Sequence, residues 1–337
     1  MTDLDARAKV TGLITAAWST QVIHVAVRLG LPDILAAGPA VSADLAQETG
    51  SHPGALHRLM RAMAVLGLCR QTGDDLFELT AEGELLRGDA PGSVRGMALH
   101  WGERLWGALS QLDQSVKTGK AWRASGSDGF QQMASDPGQM AMFHQSMTDQ
   151  TGPVAKAMLE AYDFGRFGRV TDVGGSYGAL IAALVKAHPG MQGEVFDLAS
   201  LKDASTAYLA GQGVADRARF AGGSFFDVIP PGADAYTLKM IIHDWSDEQA
   251  VAILANCARA AGADGVVLVM ERIAPERAGE AAGDYVTLRG DMLMLTAAGG
   301  MERTLGQYQA IFKEAGLKLE RVIPTASGFS ILETRAG

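Results

Sequence analysis

The second half of the chain alternates short apolar runs with helical stretches, and this alternation constrains the fold more than any other feature. Six runs are predicted to be strands, over residues 170–173, 194–197, 235–238 and 266–270, with a last pair near 318–322 and 329–332. Strands that alternate with helices predict an α/β fold with a doubly wound, Rossmann-like parallel sheet.

The first part of the chain, up to about residue 95, has a different, mostly helical pattern. Ser42 is predicted to cap a short helix through Gln47, and Pro53 to begin a longer one. Residues 68–70 and 76–79, joined around a Gly-Asp-Asp turn, are predicted to form a β-hairpin. Two short helices followed by a hairpin predict a winged helix.

A winged helix suggests DNA binding, and the charges of this one argue against it. Between residues 42 and 87 there are four basic side chains against seven acidic ones, and Asp74 and Asp75 occupy the tip of the hairpin. The whole chain carries a formal charge of -9. Because phosphate binding needs a basic face, we expect no nucleic-acid partner. A winged-helix regulator with a sensor domain is the least favoured alternative.

The apolar helix around residues 16–27 favours dimerisation as the role of this first region. It is hydrophobic over much of its circumference, and such a helix often completes its burial in a second subunit. We therefore expect a homodimer. The predicted domains are residues 1–95, helical and winged-helix, and 96–337, which includes a helical segment over 96–165.

Composition limits the location of the protein. The acidic N-terminus lacks a signal-peptide pattern, and no strongly apolar run of ~20 residues is evident. Cys69 and Cys257 lie in apolar patterns and are expected to be buried thiols. These features predict a cytoplasmic protein with no membrane partner.

The segment from residue 97 to 150 is rich in Trp and Met. Such side chains usually form core, although some of them could line a pocket for a flat ligand. Its members are Trp101, Trp106, Trp122, Met133, Met140, Met142 and Met147.

A glycine turn follows the first predicted strand of the second half, with the sequence Asp-Val-Gly-Gly-Ser-Tyr-Gly over 172–178. Glycine lets the backbone turn sharply and approach a ligand closely. Asp197, at the end of the next strand, is placed to accept hydrogen bonds from a ribose. The turn could serve NAD, a flavin or S-adenosylmethionine. Its glycines miss the dinucleotide spacing in either register, and Asp172 would repel a pyrophosphate, so S-adenosylmethionine is favoured.

A histidine marks the end of another apolar run. Residues 238–242 are predicted to be a buried strand that stops at His243, where an α/β sheet binds ligands. A histidine there can exchange protons near neutral pH. The alternative is a structural histidine or a surface pair with Asp244. Asp244 itself either touches substrate hydroxyls or secures the loop, whereas Ser246 with Gln249 forms a capping box.

Two glutamates occupy similar positions further along. Glu271 follows the strand 266–270, and Glu302 lies just before Thr304, which is predicted to cap a helix. A carboxylate that accepts the imidazole N–H would orient the ring and raise its pKa. The alternatives are a salt bridge for Glu271 and an ordinary helix N-terminal carboxylate for Glu302.

With these features together, the chain resembles a class I S-adenosylmethionine-dependent O-methyltransferase, of the family that includes caffeate, acetylserotonin and bacterial natural-product methyltransferases. The resemblance covers nearly the whole chain, including the N-terminal dimerisation domain. Its motifs are Asp-Val-Gly-Gly at 172–175, Phe-Asp-Leu at 196–198, His-Asp-Trp-Ser-Asp-Glu at 243–248 and Gly-Gly-Met-Glu-Arg-Thr at 299–304.

The resemblance implies S-adenosyl-L-methionine as cofactor and assigns residues to it. The implied cofactor-binding residues are Asp172, Gly174, Gly175, Asp197, Leu198, Ser224, Phe225 and Lys239. It also implies that His243 is the general base and that Glu271 and Glu302 orient it. Met147, Asp244 and Met292 are secondary candidates for substrate contact.

Methyl transfer to a hydroxyl needs a deprotonated oxygen in line with the methyl group. A phenol with a pKa near 10 is only about 0.1% ionised at pH 7, so a base at hydrogen-bond distance is useful. In-line positioning of oxygen and methyl contributes up to ~7–11 kcal/mol, which is more than the base supplies. No metal is expected. The predicted function is methyl transfer to a hydroxyl of a small aromatic or polyketide-like metabolite of secondary metabolism. A relative with decarboxylase or hydroxylase chemistry is the alternative.

Overall fold

A computed structural model describes residues 3–122 and 136–337 of the chain. They fall into two compact units, Met1–Gly107 with Ala141–Asp149, and Ala108–Met140 with Gln150–Gly337. Met133, one of the expected core or pocket residues, lies outside the described residues. The predicted domain boundary at residue 95 stays a prediction.

The first unit is mainly helical. Its helices are α1 (Asp3–Thr15), α2 (Ala17–Arg28), α3 (Leu31–Leu35), α4 (Ser42–Thr49), α5 (Pro53–Val65), α6 (Ala81–Glu84) and α7 (Arg95–His100), which continues as a π-helical turn over Trp101–Leu105. A short sheet has the order β1 (Ala40–Val41), β3 (Leu76–Leu79), β2 (Cys69–Gln71). Leu45, Met60 and Phe77 belong to the apolar core that joins these elements.

The predicted winged-helix elements are confirmed, with one difference at Ser42. The expected cap is wrong, because the helix begins at Ser42 itself and has Val41 as its N-cap, without a side-chain cap bond. The Ser42 hydroxyl instead donates to Asp75 at 2.5 Å and lies 3.2 Å from Nδ1 of His57. This contact links helix α4 to the hairpin and explains why the hydroxyl does not turn back to its own helix.

Helices α1 and α2 carry several exposed apolar side chains. Leu13 and Ile14 are 64% and 73% exposed, and Trp18 is 45% exposed. By length and composition alone, the stretch Leu4–Arg28 is long and apolar enough to cross a membrane, a feature not expected from the sequence. The mostly buried core helix of a soluble protein and a signal sequence pass the same test, and 17% of the tested window is buried here.

The second unit is built on a seven-stranded sheet of order β6-β5-β4-β7-β8-β10-β9. Strands β4 to β8 pair in parallel, whereas β10 runs antiparallel to both β8 and β9. The bounds are β4 (Arg169–Val173), β5 (Gln192–Asp197), β6 (Ala218–Gly222), β7 (Ala235–Lys239), β8 (Val266–Glu271), β9 (Leu317–Pro324) and β10 (Ser330–Ala336). The predicted doubly wound, mainly parallel sheet is confirmed.

The other helices of the described residues include two that have residues in both units. They are α8 (Trp106–Leu109), α9 (Leu112–Thr118), α10 (Pro137–Ala161), α11 (Ala179–Ala187), α12 (Lys202–Gly211), α13 (Asp247–Ala261), α14 (Asp284–Leu293) and α15 (Leu305–Glu314), and α8 and α10 are the two that span both units. Alternate residues of β8 enter two separate apolar clusters: Leu268 and Met270 join one, Val267 and Val269 the other. Because successive strand side chains point to opposite faces, the sheet has a core on each side.

Two strand predictions are corrected. Strand β6 was missed, because Ala218–Gly222 contains a charged Arg219, ends in glycine and has no β-branched residue. Strand β7 ends at Lys239 instead of continuing to residue 242, because Met240 adopts a left-handed conformation with φ 57°. His243 therefore lies in a 3₁₀ turn, Ile242–Asp244, beyond the strand.

Candidate active site

The turn that carries His243 is held by a buried carboxylate at the end of the neighbouring strand. Oε1 of Glu271, the last residue of β8, accepts the backbone N–H groups of Ile241 at 2.9 Å, Ile242 at 2.8 Å and His243 at 3.3 Å. These amides have left the strand ladder after Met240 and need another acceptor. Glu271 thus bends the chain away from the sheet and fixes the backbone of His243.

The imidazole of His243 is surrounded by carboxylates. Its Nδ1 lies 3.2 Å from Oε1 of Glu302 and 3.3 Å from Oε2 of Glu271. Its Nε2 lies 3.7 Å from Oδ1 of Asp244, beyond hydrogen-bond distance. The side chain is 6% exposed. The glutamates occupy one ring nitrogen and leave Nε2 as the nitrogen available for proton exchange.

The charges around the ring determine its protonation. Burial alone would lower the pKa of the His243 imidazole, but the surrounding carboxylates, with Glu271 the strongest, outweigh burial and raise it to about 10. Burial raises the pKa of Glu271 to about 7 and that of Asp244 to about 6. The free site therefore favours a protonated, cationic histidine at neutral pH.

Glu302 is delivered by a loop that packs tightly against the histidine turn. The N–H of Met301 donates to the carbonyl oxygen of His243 at 2.9 Å, and a Cβ on Gly300 would stand 1.9 Å from that oxygen. The N–H of Glu302 donates to Oδ1 of Asp291 at 2.9 Å. Only glycine fits at residue 300, so the Gly-Gly-Met-Glu motif is a consequence of this close backbone contact.

The glycine turn after β4 packs against the same region. Gly174 has φ 73°, and a Cβ there would stand 2.5 Å from Cδ1 of Ile241, which lies just before the histidine turn. At Gly175 an added Cβ would stand 2.7 Å from Oδ2 of Asp172. Both positions therefore exclude a side chain.

Two aspartates lie on either side of this turn. Asp172 is buried, and its Oδ1 accepts the Thr237 hydroxyl at 2.7 Å; burial raises its pKa to about 6. Asp197 accepts the N–H of Ser176 at 2.8 Å and that of Leu198 at 2.7 Å, and burial raises its pKa as well. A carboxylate has about four acceptor positions, so Asp197 keeps capacity for ligand hydroxyls.

The other expected cofactor residues flank the same strand ends. Leu198 is 39% exposed, a large apolar side chain open to a ligand. The hydroxyl of Ser224 accepts the N–H of Phe226 at 3.2 Å, and Phe225 packs edge-on against Trp245 at 5.5 Å between ring centroids. Lys239 ends β7, and burial lowers its pKa.

Of the three candidates for substrate contact, Asp244 lies in the His243 turn, and Met292 is 38% exposed near the end of α14. Met147 belongs to the other unit. Sequence reasoning gave no role to Arg303 or Asp291, although Arg303 stands inside a recognised motif.

His243, Glu271 and Glu302 also satisfy the spacing of a metal site. Their ligand atoms lie within 4.8 Å of one another. Imidazole and carboxylate ligands suit several divalent cations. The expectation that no metal takes part in the reaction stays a prediction.

A doubly wound sheet with an acidic glycine turn and a histidine at its carboxyl edge defines the S-adenosylmethionine-dependent methyltransferases as the class. The model of the O-methyltransferase domain matches residues 109–318, and that of the O-methyltransferase dimerisation domain matches residues 11–88. The chain belongs to this O-methyltransferase family and uses S-adenosyl-L-methionine. The resemblance predicted from the motifs is confirmed.

Individual relatives extend over almost the whole chain. Phenazine O-methyltransferase PhzM of Lysobacter antibioticus is 36% identical over 325 residues, 96% of this chain and 94% of that protein. Aclacinomycin 10-hydroxylase RdmB of Streptomyces purpurascens is 32% identical over 352 residues, 99% of this chain and 91% of that protein.

Among solved structures, the O-methyltransferase NcsB1 from neocarzinostatin biosynthesis, in complex with S-adenosylmethionine and 2-hydroxy-5-methyl naphthoic acid, has a TM-score of 0.79. It is 33% identical, with 95% of this chain and 96% of that chain covered.

Proposed function

We propose that this enzyme transfers a methyl group to a hydroxyl of a flat aromatic metabolite, with His243 as the general base. The observation that carries the proposal is the buried imidazole, whose Nδ1 faces two glutamates while Nε2 stays available. A base presented in this way can take the proton of a hydroxyl as the oxygen attacks.

The residues of the glycine turn and strand ends fit S-adenosylmethionine better than a dinucleotide. Asp172 and Asp197 give this region a negative charge, which suits an ammonium group and ribose hydroxyls and repels a pyrophosphate. Leu198 offers apolar surface for an adenine ring. Bound there, the cofactor supplies a methyl group already activated on a sulfonium. Ser224, Phe225 and Lys239 complete the proposed cofactor site.

The glutamates have two roles in this proposal. They hold the ring by Nδ1, and they stabilise the imidazolium that forms when His243 accepts a proton. The raised pKa of His243 means that the free enzyme holds a cationic histidine at neutral pH. A positive charge bound nearby lowers that pKa, so we expect His243 to become an effective base only in the cofactor complex.

The substrate class is inferred from two relatives. One is named a phenazine O-methyltransferase, and the solved structure of the other, NcsB1, holds a naphthoic acid. We infer a hydroxylated polycyclic aromatic acceptor of secondary metabolism, with Asp244 and Met292 of the second unit as candidate contacts. The match to a dimerisation domain supports a homodimer. We also propose a cytoplasmic location, as the sequence patterns predict.

A panel of phenols, naphthoates and phenazines with S-adenosylmethionine, analysed by mass spectrometry, tests the reaction. We expect products that gain one methyl group, and the same turnover after treatment with EDTA. Turnover lost with EDTA and restored by a divalent cation would show that the His-Glu-Glu cluster holds a metal.

The hydroxylase RdmB among the relatives makes non-methylating chemistry the second candidate. Products that gain oxygen or lose carbon dioxide, without methyl transfer from labelled cofactor, would establish it. The base is tested by His243→Ala, which we expect to lower kcat by about 10²- to 10⁴-fold with nearly unchanged cofactor affinity. Loss of cofactor binding in this variant would mean that His243 is structural.

A further inference from the structure

The side chain of Arg303 lies at 0% exposure beside the histidine turn, although arginine is almost never fully buried. We infer that Arg303 is a positioning residue: its guanidinium holds the backbone on both sides of His243 and thereby fixes the imidazole for proton transfer. This inference rests on the proposed function for its effect on catalysis. The contacts themselves are independent of it.

The guanidinium contacts two backbone carbonyls that flank the histidine. Nη1 donates to the carbonyl oxygen of Ile242 at 2.8 Å, and Nη2 donates to that of Trp245 at 2.7 Å. Ile242 directly precedes His243, and Trp245 follows it by two residues. One rigid planar group therefore spans the turn and sets the distance between its two ends.

The remaining contact is to a carboxylate at the surface. Nε and Nη2 donate to Oδ1 of Asp247 at 2.9 Å and 2.7 Å. The Asp247 side chain is 61% exposed, and an ion pair with one solvated partner contributes little stability. The turn is therefore held by the bonds from Arg303 to the two carbonyls, while Asp247 orients the guanidinium.

Arg303 and Glu271 bind opposite kinds of backbone group in the histidine turn. Glu271 accepts the amides of Ile241 to His243, and Arg303 donates to carbonyls on either side of the histidine. The intervening carbonyl, that of His243, accepts from Met301. Without Arg303, both carbonyls would lose the bond from the guanidinium, and Ile242 would keep the longer bond from the N–H of Trp245 at 3.3 Å. Loss of these two short buried bonds is costly and frees the turn to move.

A lysine at residue 303 cannot make the same set of contacts. Its ammonium is a single point on a flexible stem, whereas the guanidinium presents several N–H groups in one plane. Arg303→Lys keeps the charge but loses at least one carbonyl bond. Because a shift of about 1 Å in a catalytic group can cost about 10²-fold in rate, we expect kcat to fall at least tenfold. The strand-end residues of the cofactor site keep their places, so cofactor affinity should change less than about twofold.

The experiment compares wild type with Arg303→Lys and a matched control, Arg166→Lys. Arg166 also donates from its guanidinium within the second unit, to the buried Glu333, but lies in a turn before β4. Hydrogen exchange measured by mass spectrometry on peptides covering residues 240–247 reports on the turn without any substrate. Kinetics use the best acceptor from the aromatic panel, with the dependence of kcat on pH, and calorimetry gives the cofactor Kd.

We expect faster exchange over 240–247, a lower kcat and an altered pH dependence in Arg303→Lys only. Unchanged exchange would overturn the inference that Arg303 holds the turn. Faster exchange with unchanged kcat would overturn its role in catalysis. If wild type methylates no acceptor, the proposed function fails, while the exchange data still decide whether Arg303 holds the turn.

A milder pair of variants decides the case in which Arg303→Lys does not fold. Asp247→Ala removes the oxygen that accepts the Nε and Nη2 bonds of the guanidinium, and Glu248→Ala removes a neighbouring carboxylate of the same helix turn. We expect faster exchange and a lower kcat, by about two- to fivefold, in Asp247→Ala alone. Equal behaviour of the two variants overturns the inference.

Discussion

The carboxylate of Asp172 lies directly against Gly175: a Cβ on residue 175 would stand 2.7 Å from Oδ2 of Asp172. Asp172 cannot move away without losing its bond to the Thr237 hydroxyl. The glycine is therefore required by a neighbouring side chain, and this contact adds to that of Gly174 with Ile241 in setting the shape of the proposed cofactor turn.

Gly175→Ala should weaken cofactor binding. The added methyl group must displace either the turn or Asp172, and we expect the Kd for S-adenosylmethionine to rise at least about tenfold, or about 1.4 kcal/mol. Isothermal titration calorimetry measures it. Gly190→Ala is the matched control, because no heavy atom lies within 4 Å of its added Cβ. Equal affinities of the two variants would contradict the prediction.

Glu302→Gln should change the pH dependence of turnover. Removal of one negative charge beside His243 lowers the pKa of the imidazole, so the acid limb of the kcat profile should move down by about one pH unit. The maximum rate should fall as well, because the imidazolium loses stabilisation. Steady-state kinetics of wild type and Glu302→Gln over a common series of pH values test this. An acid limb that stays in place would mean that Glu302 does not act on His243.

The stability of the protein should fall as pH rises through the alkaline range. The folded-state pKa of His243, about 10, lies above its unfolded value of about 6.5. The contribution of the charged histidine is therefore fully present below about pH 6.5 and is lost as pH rises through about 10. Urea denaturation at a series of pH values measures the free energy of unfolding. With rising pH, this free energy should decline less steeply in His243→Gln than in wild type. Parallel curves for the two proteins would disprove the assignment.

Ser246→Ala should lower stability without lowering the rate. Ser246 caps helix α13 in a capping box with Gln249, as predicted, and loss of such a cap costs about 1 kcal/mol in free energy of unfolding. Chemical denaturation measures it, and Ser246→Asp, which keeps a capping oxygen, is the control. A large loss of kcat in the alanine variant would show that Ser246 takes part in catalysis.

Leu13→Glu combined with Ile14→Glu should disrupt the proposed homodimer. Both side chains are highly exposed in the first unit, and two buried charges at an apolar interface are costly. Light scattering coupled to size-exclusion chromatography should give a monomer mass. Val228→Glu, at a side chain 78% exposed in the other unit, is the control and should stay dimeric. A dimer mass for the double variant would locate the interface elsewhere.

The sequence by itself determined the sheet and the turns, because both depend on local patterns. Short apolar runs predicted six of the seven strands of the sheet, although not the end of β7. The capping box at Ser246 and the helix cap at Thr304 were also predicted from local sequence. The glycines of the cofactor turn and the residues His243, Glu271 and Glu302 were also identified from motif and position, and these three side chains meet in the structure.

The tertiary structure decided what depends on contacts between distant residues. The end of β7 at Lys239 follows from Glu271, thirty residues away from Ile241, which takes the amides that would otherwise continue the strand. The hydroxyl of Ser42 leaves its helix for Asp75 for the same kind of reason. Arg303 appears in the sequence only as one charged residue in a motif. Its burial against two carbonyls is set by how separate segments pack, and no local pattern encodes that.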